Sequence, residues 1–67
     1  MTIKVNSDVI TVDKDYSIMK LLNYLNIQSV KGTAVAVNNQ VVVKEKWNDY
    51  ILNENDTVLV IRATQGG

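Results

Sequence analysis

Apolar and polar residues alternate at the start of the chain. Ile3 and Val5 share one face of a short stretch, and after the polar run Asn6-Ser7-Asp8 the alternation resumes with Ile10 and Val12. Strict alternation over so few residues is typical of half-buried β-strands, and Asn, Ser and Asp favour tight turns. The beginning of the chain therefore predicts a β-hairpin.

The spacing of apolar residues changes after the polar cluster 13–15. Four aliphatic residues then follow at i, i+3, i+4 and i+7: Ile18, Leu21, Leu22 and Leu25. This spacing forms the single apolar stripe of an amphipathic helix. Ser17 is placed to cap its start, and Asn26, which tolerates left-handed backbone geometry, is predicted to end it. We expect a helix from about residue 17 to residue 26 that covers one face of a sheet.

A second hairpin is predicted beyond Gly32, which we expect to be a hinge with positive φ. Strands at residues 34–37 and 41–43 are joined by Asn38-Asn39, a pair suited to a type I′ turn. Residues 44–50 read as an irregular connection, and the segment that follows is expected to return to the core. The residues predicted to be buried in this region are Trp47, Ile51 and Leu52.

The last predicted strand spans residues 57–63 and is apolar at both parities over its first half. Such a strand normally lies in the middle of a sheet, yet the chain has sequence for one good helix. We therefore assign Val58 and Val60 to the face covered by the helix. The open face, with the residues that follow, is predicted to dock a partner through Leu59, Ile61, Arg62 and Ala63.

These elements predict an α+β domain in which one helix packs across one face of a mixed sheet. If the last strand is central and parallel to the first, the arrangement is a ubiquitin-like β-grasp. We expect one domain over residues 1–67, with 64–67 as a flexible carboxyl-terminal tail. Because glycine has no Cβ, a Gly66-Gly67 end could enter a narrow site on a partner.

The amino-acid composition argues against several classes of function. The chain has no Cys and no His, so disulfides, the usual zinc ligands and the commonest nucleophile and base are missing. Seven basic residues balance seven acidic ones, which predicts no nucleic-acid or membrane partner. No apolar run approaches the ~18 residues of a membrane span, and the first residues follow a strand pattern, not that of a signal peptide. We predict a cytoplasmic protein that is not an enzyme.

Four stretches together resemble one family over nearly the whole chain. They are S-I-M-K-L-L at the helix start, A-V-A-V-N-N-Q-V-V-V-K-E-K-W, N-D before the last strand, and the terminal G-G. The combination resembles the ThiS family, sulfur carriers of thiamin biosynthesis with the β-grasp fold. Val43 stands where similar proteins often have Pro, and Asn55 where they often have Gly. Both changes are compatible with the fold, because Asn tolerates positive φ and Val suits a strand.

The resemblance implies a function for the last two glycines. A ThiF-type adenylating enzyme would transfer AMP from ATP to the Gly67 carboxylate, sulfur would replace AMP to give a thiocarboxylate, and a ThiG-type thiazole synthase would receive the sulfur. The protein would bind no cofactor, because ATP is used by the partner. Extended at ~3.3 Å per residue, residues 64–67 would carry the carboxylate about 13 Å.

Other interpretations remain open at this stage. A MoaD-type carrier of the molybdopterin pathway shares the fold and the Gly-Gly end, and a β-grasp module that only binds proteins would not need the Gly67 carboxylate. A small enzyme is the third class. Its candidate carboxylate pairs are Glu45 with Asp49 and Glu54 with Asp56, but no nucleophile or metal-ligand set accompanies them. We interpret these carboxylates as solvated charges.

Overall fold

The computed structural model describes residues 1–27 and 31–62. Its regular elements, in chain order, are β1 (Thr2–Val5), β2 (Asp8–Thr11), α1 (Ile18–Tyr24), β3 (Thr33–Val37), β4 (Gln40–Val42), a 3₁₀ turn (Lys44–Lys46) and β5 (Thr57–Arg62). The predicted tail 64–67 lies outside the described residues. Within those residues, no helix is long and apolar enough to cross a membrane.

The described strands form one sheet in the order β2-β1-β5-β3-β4. The last strand is central and runs parallel to β1, with Val58 opposite Val5. It runs antiparallel to β3, where Leu59 lies opposite Ala36. The remaining neighbours are the two antiparallel hairpins, β1 with β2 and β3 with β4. The predicted mixed β-grasp sheet and its central last strand are therefore confirmed.

Both hairpins close through two residues of positive φ. The first turn has Asn6 at 48° and Ser7 at 81°, and the second has Asn38 at 51° and Asn39 at 71°. Positive φ at both central positions is the type I′ geometry, whose twist matches that of the flanking strands. The predicted turn at Asn38-Asn39 is confirmed, as is positive φ at Gly32, which is 76°.

The helix is shorter than predicted, and its start is the one expected. The Ser17 hydroxyl accepts a hydrogen bond from the Lys20 backbone N–H at 3.1 Å, which satisfies one of the free amides at a helix start. The helix ends at Tyr24, and Asn26 has a φ of 60°. A seven-residue helix is marginal alone, so packing of Ile18, Leu21 and Leu22 against the sheet stabilises it.

The connection between β4 and β5 is anchored by Trp47. This side chain is 1% exposed, and its Nε1–H donates to the Val42 carbonyl at 2.9 Å. Its burial confirms the prediction of a core anchor. Val43, at φ −67° and ψ 149°, has left β4 and precedes the 3₁₀ turn. This backbone geometry is one that proline also adopts.

Two sequence-based predictions in this connection are wrong. Leu52 is buried as predicted, but Ile51 is 43% exposed. The segment pairs with the residues before α1 through a bridge between Ser17 and Ile51. Neighbouring side chains of an extended segment point to opposite sides, so burial of Leu52 turns Ile51 outward. The second error is Asp56, which is 7% exposed rather than solvated.

Candidate docking surface

The two parities of β5 lie in different environments. Val58 and Val60 are 1% and 8% exposed, whereas Leu59 and Ile61 are 47% and 52% exposed. The buried pair lies on the same side of the sheet as Ile3 and the other core residues. The predicted parity assignment is therefore confirmed. We call the opposite side of the sheet the open face, because none of the described helices packs on it.

The open face is broader than β5. The pairing register places Ala36 and Ala34 of β3 directly opposite Leu59 and Ile61. Val41 on β4 lies opposite Ala36, and Val9 on β2 has the same face but is separated from β5 by Lys4 on β1. Val9 and Val41 are 68% and 76% exposed. An exposed apolar patch that crosses several strands is typical of surfaces that bind other proteins.

These additional residues were not assigned to the site from the sequence. Val41 lies in a run of three valines, so its own strand gives no sign of which face it occupies. Ala34 and Ala36 alternate with Val35 and Val37, a small-large pattern that is informative only once the pairing with β5 is known. The missing information was the register between strands.

The predicted docking residues do not all share one face. Arg62 lies opposite Thr33 and has the parity of Val60, so its side chain leaves β5 on the helix side, where it is exposed. Leu59 and Ile61 are the two that the structure brings together on the open face. Ala63, Gly66 and Gly67 lie outside the described residues.

The carboxyl-terminal half of β5 is held by a side chain from the first hairpin. The Asn6 carboxamide donates from Nδ2 to the Val60 carbonyl at 3.1 Å and accepts at Oδ1 from the Val60 N–H at 2.8 Å. The Asn6 backbone N–H also donates to the Val58 carbonyl at 3.0 Å. The carboxamide thus acts as one further peptide group of β1. Sequence reasoning assigned Asn6 to the turn alone and missed this second contact.

The start of β5 is held by a polar network around Asp56. Its carboxylate accepts from Asn38 Nδ2 at 3.0 Å and from the Asn53 N–H at 2.8 Å. Asn38 in turn accepts from the Thr57 N–H at Oδ1, 3.0 Å away. A buried carboxylate requires such partners. Asp56 is therefore structural, and β5 is fixed at both ends.

No cluster of metal-ligating side chains exists among the described residues. Tyr16 precedes α1 and lies outside the strand residues that form the open face. Burial raises the pKa of this phenol, and the nearby Tyr24 and Asp13 raise it further. Among the described residues, the open face is therefore the candidate site that the structure supports.

Comparison with known proteins identifies the family. A family model described as the ThiS family matches residues 2–67. The chain belongs to the ThiS family. This is a family of sulfur carriers in thiamin biosynthesis, and it works with partner enzymes there. The match agrees with the β-grasp sheet.

Individual relatives cover the full chain. The sulfur carrier protein ThiS of Escherichia coli (strain K12) is 30% identical over 67 residues, which are 100% of both chains. A crystal structure of the thiamine biosynthesis protein ThiS from Geobacter metallireducens superposes with a TM-score of 0.79 at 25% identity, again over 100% of both chains. A solution structure of a thiamine biosynthesis protein from that organism gives 0.80 at 25% identity, over 100% of this chain and 88% of the other.

Proposed function

We propose that this ThiS-family chain is the protein substrate of a ThiF-type adenylating enzyme and carries sulfur on Gly67. An α-carboxyl group has a pKa of about 3.3–3.7, so it is an anion at neutral pH and resists attack by a sulfur nucleophile. Activation is therefore required. ATP would bind to the partner, and the carrier itself would need no cofactor.

The two chemical steps balance without oxidation or reduction. A carboxylate oxygen of Gly67 attacks the α-phosphorus of ATP, and pyrophosphate leaves. A sulfur nucleophile at the oxidation level of sulfide then attacks the carbonyl carbon, and AMP leaves with the oxygen to which it was joined. The product is a thiocarboxylate at Gly67. A ThiG-type thiazole synthase would take the sulfur from it.

The observation that carries this proposal is the placement of an exposed apolar face on the strand that leads to the glycines. Leu59 and Ile61 are exposed on a central strand that Asn6 and Asp56 hold in place. From Arg62, the last described residue of β5, the five following residues can span at most about 18 Å. When a partner docks on the open face, its active site must therefore lie within that distance of the end of β5 if Gly67 is to reach it.

The carrier's own contribution is recognition and reach. The family membership supports this role, since ThiS proteins are carriers and not catalysts, and the chain has no Cys or His that could hold sulfur elsewhere. We place the reaction in the cytoplasm, because the activating partner consumes ATP.

The direct test is the intact mass of the purified protein after incubation with a ThiF-type enzyme, ATP, magnesium and a sulfide donor. We expect the mass change of one oxygen-to-sulfur exchange, located at Gly67 by fragmentation. Gly67→Val should abolish the exchange, because a Cβ would obstruct a narrow site on the partner. The melting temperature should stay within about 2 °C of wild type, because the substitution leaves every residue of the described core unchanged.

Two controls show which results would refute this proposal. A variant with one residue appended after Gly67 should also resist exchange, which a module that only binds proteins would not predict. Unchanged mass of the unmodified chain, under conditions that convert the Escherichia coli carrier, would refute the carrier role. Conversion only by the molybdopterin-pathway enzyme would retain the chemistry and change the pathway.

A further inference from the structure

A shallow depression lies on the open face beside the docking residues of β5. Its volume is about 210 Å³, and it is lined by Thr2, Ile3, Lys4, Val9, Asn55 and Thr57. The register explains its position, because Lys4 lies opposite Val9 on one side and opposite Thr57 on the other. The depression therefore spans the three strands β2, β1 and β5.

Lys4 gives this part of the open face its charge. The strand residues that the register assigns to the open face are otherwise aliphatic side chains, alanines and threonines, within the described ranges. Of the two nearby carboxylates, one lies on the other side of the sheet and the other is already engaged by a backbone N–H beside the depression. Asp8 has the parity of Val5 and belongs to the helix side, while Glu54 accepts from the Thr2 backbone N–H at 3.0 Å. Across the described residues, no ion pair is formed by Lys4.

The depression is continuous with the apolar surface around Leu59. Leu59 is two residues beyond Thr57 on β5, on the same face, and Thr57 lies opposite Lys4. Strands about 4.8 Å apart and a step of about 6.6 Å along β5 put the Cα atoms of Lys4 and Leu59 roughly 8 Å apart. One partner surface that covers Leu59 must therefore also come close to Lys4.

We propose that Lys4 is a recognition residue for the adenylating partner, which presents an Asp or Glu side chain into this depression while its apolar surface covers Leu59 and Ile61. This inference rests on the proposed function, because it assumes docking on the open face. A partner that covers Lys4 without offering a carboxylate leaves an ammonium desolvated and unpaired, which is unfavourable. A partner with the matching carboxylate also associates faster at low salt.

The threonines and Asn55 fit the same role. Thr2, Thr57 and Asn55 line the depression, and hydroxyl and amide groups can donate hydrogen bonds to a carboxylate. An ammonium with neutral donors around it, next to an aliphatic surface, is complementary to a carboxylate at the edge of an apolar patch. Lys4 thereby specifies which partner surface docks and in which orientation.

The test compares charge reversal at two lysines that change the net charge equally. Lys4→Glu is measured against Lys20→Glu, since Lys20 is exposed on α1, on the other side of the sheet. We expect Lys4→Glu to raise the Kd for the ThiF-type enzyme about tenfold or more, because like charges across an interface are strongly unfavourable. Lys20→Glu should stay within about twofold. Both variants should melt close to wild type.

A neutral variant and the salt dependence complete the test. Lys4→Met keeps the aliphatic stem and removes the charge, so it should lower the association rate and reduce the dependence of Kd on salt concentration. If Lys4→Glu does not fold, Lys4→Met is used in its place. Equal effects of Lys4→Glu and Lys20→Glu, or an unchanged salt dependence in Lys4→Met, would overturn the role of Lys4.

The failure of this inference is distinguishable from failure of the proposed function. If Leu59→Asp weakens binding and Lys4→Glu does not, docking on the open face stands and only the charge recognition is wrong. If neither substitution changes the Kd, the open face is not the docking surface, and the inference falls with it. The oxygen-to-sulfur exchange at Gly67 is a separate measurement that neither outcome decides.

Discussion

The two faces of β5 carry similar residue types in different environments. Val58 and Val60 are almost fully buried and join the core, whereas Leu59 and Ile61, one position along in each case, are half exposed. All four are aliphatic. The difference lies in what covers them, since α1 packs across one side of the sheet and no described element packs across the other. The hydrophobicity of the second face is therefore not explained by burial within the described residues, and we attribute it to the docking that we propose.

The same division extends across the sheet to β4. Val42 is 8% exposed and its carbonyl accepts from Trp47, while its neighbour Val41 is 76% exposed. Substitutions of similar chemistry on the two sides should thus have separable consequences. Those on the helix side should reduce stability, and those on the open face should reduce binding to a partner.

The largest expected effect on stability is that of Trp47→Ala. Truncation of a fully buried aromatic side chain costs about 3–5 kcal/mol, which is a large part of the stability of a small domain. Val41→Ala, on the open face of β4, should change the free energy of unfolding by less than about 0.5 kcal/mol. Urea unfolding followed by tryptophan fluorescence for Val41→Ala, and by circular dichroism for both, measures the difference. Similar losses in the two variants would show that the open face also contributes to folding.

An intermediate effect is expected where Asn6 holds β5. Asn6→Asp tolerates the positive φ but replaces the donor to the Val60 carbonyl by a carboxylate oxygen, so we expect a loss of about 1–2 kcal/mol. Asn39→Asp is the matched control, with a φ of 71° in the other hairpin turn. Urea midpoints for the two variants should differ. Equal midpoints would mean that the Asn6 carboxamide adds little to the anchoring of β5.

The smallest effect on stability is expected for Ala36→Arg. Ala36 lies opposite Leu59 on the open face, and a long side chain there can extend into solvent without entering the core. The melting temperature should change by no more than about 2 °C, while the Kd for the ThiF-type enzyme should rise about tenfold or more, because the bulky cation lies in the apolar patch. Unchanged affinity in calorimetric titration would exclude this part of β3 from the docking surface.

Local signals predicted most of the fold. The helix period, the Ser17 cap and the asparagine turns are set by residues close in sequence, and all three are found in the structure. The apolar residues on both faces of residues 58–61 also predicted that this strand is central, because strands of this kind lie in the middle of a sheet. One helix cannot cover both sides of a sheet, so an open face was expected as well.

The errors and omissions involve contacts between residues distant in sequence. Asp56 was interpreted as a solvated turn charge because its partner Asn38 is 18 residues away. The role of Asn6 depends on Val60, 54 residues along the chain. Ile51 is apolar, yet its orientation follows from pairing with Ser17. The open-face contribution of β3 and β4 likewise required the strand register.

The most direct test of the division of β5 is one pair of aspartate substitutions measured in two assays. Ile61→Asp should keep a cooperative melt near that of wild type and weaken binding to the ThiF-type enzyme about a hundredfold, as expected for a charge in an apolar interface. Val60→Asp should lose about 3 kcal/mol or more and unfold at low denaturant, because it buries an unpaired carboxylate. An unfolded Ile61→Asp together with an intact Val60→Asp would contradict the assignment of the two faces.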